Sequence, residues 1–271
     1  MLDDWQHDAT RRAKVALIDT KVPNAARVWD YLSGGRDNFE ADRRAARTMA
    51  AGSAMGVTAL AARAFRQRVV RYLVAEAGVR QFLDIGAGLS IAGSTHEIAQ
   101  SLVPQCRIVY VDNDPVVLSH ARALLRSAPG GLTSYLDSEV SDVDTIVSEA
   151  RASLDFAQPI AVLLVTTLAF VTDAAAAVVS TLAEAMPSGS YVVISHLAGD
   201  VDPGVRMAVR QWNSMSAQRL TLRSRAEVAG LVAGLDLVPP GLVPVSAWRP
   251  DTAIPQQGGD VPMYGVVARK P

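Results

Sequence analysis

From about residue 81 onward, short apolar runs alternate with longer stretches in which apolar side chains recur every three or four positions. Runs near 81–86, 107–112, 132–136, 160–166, 190–195 and 235–238 predict strands, and short apolar runs alternating with helical stretches are how a parallel sheet with crossover helices appears in sequence. Helices are predicted near 95–103, 115–126, 142–151 and 173–186. Their ends carry the expected signals. Ser94 and Glu97 have capping-box spacing, Pro115 suits a first helical turn, and "PSGS" at 187–190 closes one helix and opens a strand. The order βαβαβαβαβ predicts an α/β protein with a doubly wound, mostly parallel sheet.

Two segments depart from the alternation. Residues 1–72 read as mainly helical and broken at "SGGRDN", an N-terminal helical cap ahead of a core spanning 73–271. Within that cap Val28, Trp29 and Leu32 form an apolar stripe, Gly34 and Gly35 end the helix, and a second helix begins near Glu40. Residues 200–232 read as a helical insertion in which Val205, Val209 and Trp212 share one face, a pattern that predicts packing. Beyond 239 the chain is proline-rich and loop-like until "VPMYGVVARK", which predicts a last edge strand.

Composition narrows the setting. A chain of 271 residues with 49% hydrophobic and 20% charged residues can bury one large core, or a core with an elaborated cap. Its net charge of -1 offers a polyanion no general attraction, so no nucleic-acid partner is expected. The first twenty residues lack a signal peptide's apolar segment. The longest apolar runs fall well short of the roughly 20 residues of a membrane span. A cytoplasmic location, away from membranes, is the expectation. Cys106 is the sole cysteine, which excludes an internal disulfide, and its place just before the second strand predicts a buried, inert thiol. The four histidines are too scattered to predict a metal site.

Ligands of open α/β sheets bind at the carboxyl ends of the strands, beside the switch point. "FLDIGAGLS", Phe82 to Ser90, occupies that place. Gly86 and Gly88 let the backbone turn tightly and approach a ligand. A dinucleotide fingerprint would want a third glycine where Ile91 stands, and Asp84 would repel a pyrophosphate while suiting an ammonium group. Asp112 ends the second strand, 24 residues beyond Gly88, where a carboxylate can accept from both hydroxyls of a ribose. The competing role for Asp112 is a helix cap ahead of Pro115. Asp137, after the third strand, could reach the exocyclic amine of an adenine or merely cap a turn. Ala87, Asn113 and Ser138 follow these three strands, Thr166 ends the fourth, and together they complete the candidate set. A ribose and a cationic portion, with no need for phosphate, describe S-adenosylmethionine.

This arrangement resembles the class I S-adenosylmethionine-dependent methyltransferases, whose first motif runs acid-x-Gly-x-Gly-x-Gly. Here it stands as Asp84, Gly86, Gly88 and Ser90, so the third glycine is missing. A closer resemblance is to the actinobacterial S-adenosyl methyltransferase family formerly catalogued as a domain of unknown function. It is carried by "NAARVWDYLSGGRDNFEADRRAA", "FLDIGAGL", "THEIAQ", "IVYVDNDPVVLSHARALL", "PIAVLLVTTLAFV", "SYVVISH" and "GLVPVSAWRPD".

The resemblance implies a Rossmann-like, seven-stranded sheet, S-adenosylmethionine as cofactor with S-adenosylhomocysteine as product, and methyl transfer to an oxygen, nitrogen or carbon of a small molecule. It also favours Tyr31, Gly35 and Asn38 as residues that reach over the cofactor, against a cap that merely covers the sheet. The fourth strand ends in "VTTLAFV", without the Asn/Asp-Pro-Pro-aromatic turn that serves nucleobase amines. His96 and His196 stand where a general base could face the pocket, against the structural role most histidines play; no catalytic residue is assigned. Two alternatives are a non-catalytic binder of the same nucleosides with a regulatory role, and a nicotinamide-dependent oxidoreductase, which Asp84 and Ile91 disfavour.

Overall fold

The computed structural model describes residues 18–89, 93–124, 126–250 and 261–271; the segment 1–17 of the predicted cap, and Ser90 and Ile91 of the glycine turn, lie outside them. Three helices precede the sheet: α1 (Ala25–Leu32), α2 (Glu40–Ala50) and α3 (Met55–Ala75). Then come β1 (Gln81–Ile85), α4 (Thr95–Leu102), β2 (Arg107–Asp112), α5 (Pro115–Leu124), β3 (Leu132–Asp137) and α6 (Val143–Ala150). The second half carries β4 (Ala161–Val165), α7 (Ala175–Ala185), β5 (Tyr191–Leu197), α8 (Pro203–Met215) and α9 (Arg225–Gly230). Three strands close it: β6 (Asp236–Leu237), β7 (Val243–Pro244) and β8 (Met263–Arg269).

The strands form one mixed sheet in the order β3-β2-β1-β4-β5-β8-β6, seven along the path, with β7 paired to β8 beside it. The first five are parallel and β8 runs antiparallel to β5. The switch point lies between β1 and β4, where the glycine turn follows β1 and where a doubly wound sheet opens a crevice.

The prediction of a last edge strand is corrected. β8 lies between β5 on one side and β6 and β7 on the other, buried at every residue but Arg269. "MYGVVA" has no polar alternation, so an edge would expose apolar side chains and unpaired backbone groups to water. Gly265 answers a further demand, because a Cβ there would stand 2.8 Å from the Phe65 ring of α3.

Side chains of each strand alternate between two apolar layers. Phe82, Ile108, Tyr110 and Leu163 face a layer built with α1 to α4 and α8, whereas Leu83, Val109, Val111 and Leu164 face one built with α6, α7 and α9. Burying an aliphatic or aromatic side chain of this size stabilises by about 1.5–3 kcal/mol. The α8 stripe packs as its spacing predicts, with Val205, Val209 and Trp212 all buried.

Helices α1 and α2 are joined by a buried ion pair. Arg27 Nε donates to Asp42 Oδ2 at 2.9 Å, and Asp42 also accepts from the backbone N–H of Asn24 and of Phe39. The second guanidinium nitrogen donates to the carbonyls of Asp19 and Val22. Among the described residues no helix is long and apolar enough to cross a membrane.

Candidate active site

The turn after β1 is shaped by its glycines. Gly86 has φ +75° and Gly88 φ +64°, a region that side chains disfavour. Thr167 Oγ1 donates to the carbonyl of Ile85 at 2.6 Å, which brings its methyl to 2.7 Å from where a Gly86 Cβ would lie. Gly88 differs: a Cβ there would meet nothing within 4 Å and would fill the adjoining cavity instead. The backbone is therefore bare where a ligand would pass.

Asp112 ties this turn to the end of β2. Its Oδ2 accepts from the Gly88 N–H at 2.9 Å and its Oδ1 from the Asp114 N–H at 3.0 Å. Asp112 is 9% exposed. Burial pushes its carboxyl up to about 6, against the pull of these amides. The capping role weighed for Asp112 falls to Asp114, whose Oδ1 accepts from the Val116 N–H at 2.7 Å. Asp114 Oδ2 is buried and has no hydrogen-bond partner among the described residues.

At the end of β1, Asp84 is 2% exposed and its Oδ2 accepts from Thr95 Oγ1 at 2.6 Å. Burial raises its carboxyl while the positive charge of Arg66 opposes the shift. Arg66 lines the same cavity from α3, together with Ala59, Ala62 and Arg63. The polar end of the crevice thus offers a carboxylate and a guanidinium together, a complement for a zwitterion.

The end of α1 lines the same cavity as the glycine turn. Asp30 Oδ2 accepts from the Asp37 N–H at 2.9 Å and from Asn38 Nδ2 at 2.8 Å, and Asn38 Nδ2 also reaches the Gly35 carbonyl at 3.2 Å. Burial raises the Asp30 carboxyl, while those two donors hold it down. Gly35 packs against this carboxylate so closely that any Cβ would collide with it. Gly35 lines the cavity with Ser33, Gly34 and Asp30; Asn38 acts from beneath the turn. Tyr31 is half-buried and does not line the cavity; its hydroxyl acts on the Arg47 guanidinium of α2 instead.

The fourth strand ends in strain. Thr166 has φ +69° in the left-handed region, its N–H donating to Ser195 O and Ser195 Oγ, each at 3.0 Å. Such conformations cost about 1–3 kcal/mol and gather at functional sites. The following turn, Thr167–Phe170, is stapled by Arg223, which donates to the carbonyls of Leu168, Val171 and Thr172 and to His196 Nε2. His196 is held neutral, its pKa lowered to about 4 mainly by burial. It serves as the anchor of this staple, outside the cavity wall. His96 is also drawn away: its Nδ1 lies 2.9 Å from Tyr110 Oη and 3.0 Å from Ser94 Oγ, and burial lowers its pKa. Neither histidine faces the cavity.

These elements enclose a cavity of about 980 Å³. That is the upper end of ordinary ligand sites, which run from about 300 to 1,000 Å³. Of the sequence-predicted set, Gly35, Asp84, Gly86, Ala87, Gly88, Asp112, Asn113, Ser138 and Thr166 line it, while Tyr31, Asn38 and Asp137 do not. Asp137 is exposed at the end of β3, and Ser138, one residue on, takes the inward place. Sequence reasoning missed Trp29, Asp30, Arg66, Phe170 and Gln218, which come from four separate segments. The one local signal was on α3, where Arg63 and Arg66 continue the helical stripe of Ala59 and Ala62. The buried thiol of Cys106 lies outside the site, its pKa raised by burial. Among the described residues no cluster of histidine, cysteine, aspartate or glutamate could hold a metal.

A family model described as S-adenosyl methyltransferase matches residues 11–271. The chain is 40% identical to a DUF574 family protein from Streptomyces avermitilis of known crystal structure, with a TM-score of 0.90 over 94% of this chain and 100% of that one. It is 34% identical to a protein from Thermobifida fusca whose name proposes a methyltransferase, with a TM-score of 0.86 over 93% and 96% of the two chains. An O-methyltransferase family protein from Burkholderia thailandensis, 17% identical with a TM-score of 0.54 over 99% of this chain and 70% of its own, shares the fold. None of the curated proteins matches the chain.

Proposed function

The chain belongs to the S-adenosyl methyltransferase family, and from that premise we propose that its cavity holds S-adenosylmethionine along the ends of β1 to β4 and delivers the methyl to a small-molecule acceptor beneath α1. The enzyme is an S-adenosylmethionine-dependent methyltransferase. In this reading Asp112 receives the ribose, Asp84 the ammonium and Arg66 the carboxylate of the methionine part, with Gly86, Ala87 and Gly88 as the bare backbone beside it. Asn113 and Ser138 border the base, Thr166 borders the transferring carbon, and the turn of Gly35, held by Asn38, closes from above. Of the 1–72 segment, the described residues 18–72 act as a cap on the core.

When bound, the sulfonium supplies an electrophilic methyl group. The chain's own task is to hold donor and acceptor in line and to keep water out. Trp29, Phe170 and Val171 give the cavity apolar walls, so the acceptor has an apolar body. No histidine lines the cavity among the described residues.

The observation that carries this reading is Asp112, bound to the glycine turn through Gly88 and open to the cavity. Calorimetric titration with S-adenosylmethionine, S-adenosylhomocysteine and NAD tests it: the two sulfur nucleosides bind and NAD does not. Binding of NAD with no response to either nucleoside overturns it. Screening of phenols, carboxylic acids and amines for methyl uptake then tests the acceptor class, and transfer only to a protein or nucleic acid would refute the small-molecule part.

A further inference from the structure

We propose that the cofactor's ribose is held by two carboxylates, Asp112 and Asp114, each taking one hydroxyl, so that the site selects an intact cis-diol. This rests on the cofactor reading above and departs from it in using a second acid. Asp114 is 4% exposed and lines the same cavity as Asp112. Its Oδ1 accepts from the Val116 N–H and the Val117 N–H also draws on the carboxyl, whereas Oδ2 is buried and makes no hydrogen bond among the described residues. The two acids are locked together, since the Asp114 N–H donates to Asp112 Oδ1 at 3.0 Å.

Capping alone does not account for this residue. Asn or Ser caps a helix about as well as Asp, and either would spare the turn a second buried charge beside Asp112. The negative charge of Asp114 raises the Asp112 carboxyl, and burial raises Asp114 in turn. Arg27, which eases Asp114, is already committed to Asp42 at 2.9 Å. A buried acceptor without a donor is costly, and a ligand that brings a donor recovers that cost. A neutral diol brings two O–H donors to two adjacent carboxylates and adds no charge. A phosphate on either hydroxyl would be repelled by both.

The test compares wild type, Asp114→Asn, Asp114→Ser and Asp112→Asn in titrations with S-adenosylhomocysteine and its 2′-deoxy and 3′-deoxy analogues. Both Asp114 variants keep a capping oxygen for Val116, and thermal melting checks their fold. The wild type binds each deoxy analogue at least about tenfold more weakly than the parent, the usual loss for a charge-assisted hydrogen bond. Asp114→Asn weakens the parent nucleoside by at least about tenfold and stops discriminating against one analogue; Asp112→Asn stops discriminating against the other. Folded Asp114 variants that bind all three nucleosides as the wild type does would reduce Asp114 to a helix cap. Loss of both discriminations in either single variant would overturn the assignment of one hydroxyl to each carboxylate. A wild type that ignores S-adenosylhomocysteine overturns the underlying cofactor reading as well, which separates the two failures.

Discussion

Replacing Asp112 by Asn changes little in shape and much in charge, so stability and binding should part company. In the free protein the carboxylate is ionised at neutral pH although burial has pushed its pKa from 3.8 to about 6. A rise of that size represents on the order of 3 kcal/mol of strain on the charged form. Asn removes that strain, but its NH2 group must then face one of the two amides, Gly88 or Asp114, that the carboxylate now satisfies. The two effects oppose each other at a similar scale, the lost backbone bond costing about 1–3 kcal/mol, and the melting temperature should stay within a few degrees of wild type. Binding has no such offset. Losing one charge-assisted hydrogen bond to the ribose costs about 1.5–3 kcal/mol, roughly a tenfold to hundredfold weaker complex. The pH dependence has a definite sign. Hydroxyl donors favour the ionised carboxylate, so wild-type affinity is full above a pH of about 6 and declines as pH falls through that value. The Asn variant lacks this decline. Isothermal titration with S-adenosylhomocysteine between about pH 8 and pH 5, beside thermal melts, reads all three quantities. A folded Asn variant with wild-type affinity would show that this acid does not hold the ribose, and a flat wild-type profile would show that its ionisation is irrelevant.

Three other substitutions probe the frame around the site. Gly86→Ala places a methyl against the Thr167 side chain on backbone with φ +75°, and should cost roughly 1–3 kcal/mol in thermal or urea unfolding; an unchanged midpoint would mean that the turn has slack. Arg27→Met leaves the fully buried Asp42 carboxylate without its cation and should cost about 3–5 kcal/mol, of which Arg27→Met with Asp42→Leu recovers a large part; equal destabilisation by the single and double variants would place the effect in lost packing. Asn38→Ala takes a donor from Asp30 and frees the Gly35 carbonyl, so nucleoside binding should weaken several-fold, about 1 kcal/mol, with the sheet intact. Unchanged affinity in Asn38→Ala would leave the "SGGRDN" turn as a cover with no hold on the ligand.

The parallel half of the sheet was legible because most of its strands are compact apolar runs between helical stretches, and periodicity reads such segments well. The C-terminal part was less so. β7 is two residues long, below any periodic signal, and nothing in "MYGVVAR" states which neighbours it joins, although its lack of polar alternation argued against an edge. In the site, spacing alone located Asp84, Gly86, Gly88 and Asp112, since one turn after one strand and one acid after the next carry them. Asp30 and Phe170 escaped because their proximity is made by tertiary packing of segments far apart in sequence. Asp137 shows the resolution of strand reasoning: successive side chains at a strand end point opposite ways, and Ser138 took the inward place.

The place of β8 within the sheet governs the order in which the fold can be completed during synthesis. β5 at 191–197 is made well before its partner at 263–269, and until that partner emerges β5 presents an open row of backbone donors and acceptors. Pairing across so long a stretch of chain is slow relative to local contacts. The nascent enzyme therefore passes through an interval with a hydrophobic, unpaired sheet margin, the kind of surface that chaperones engage and that neighbouring copies can add to.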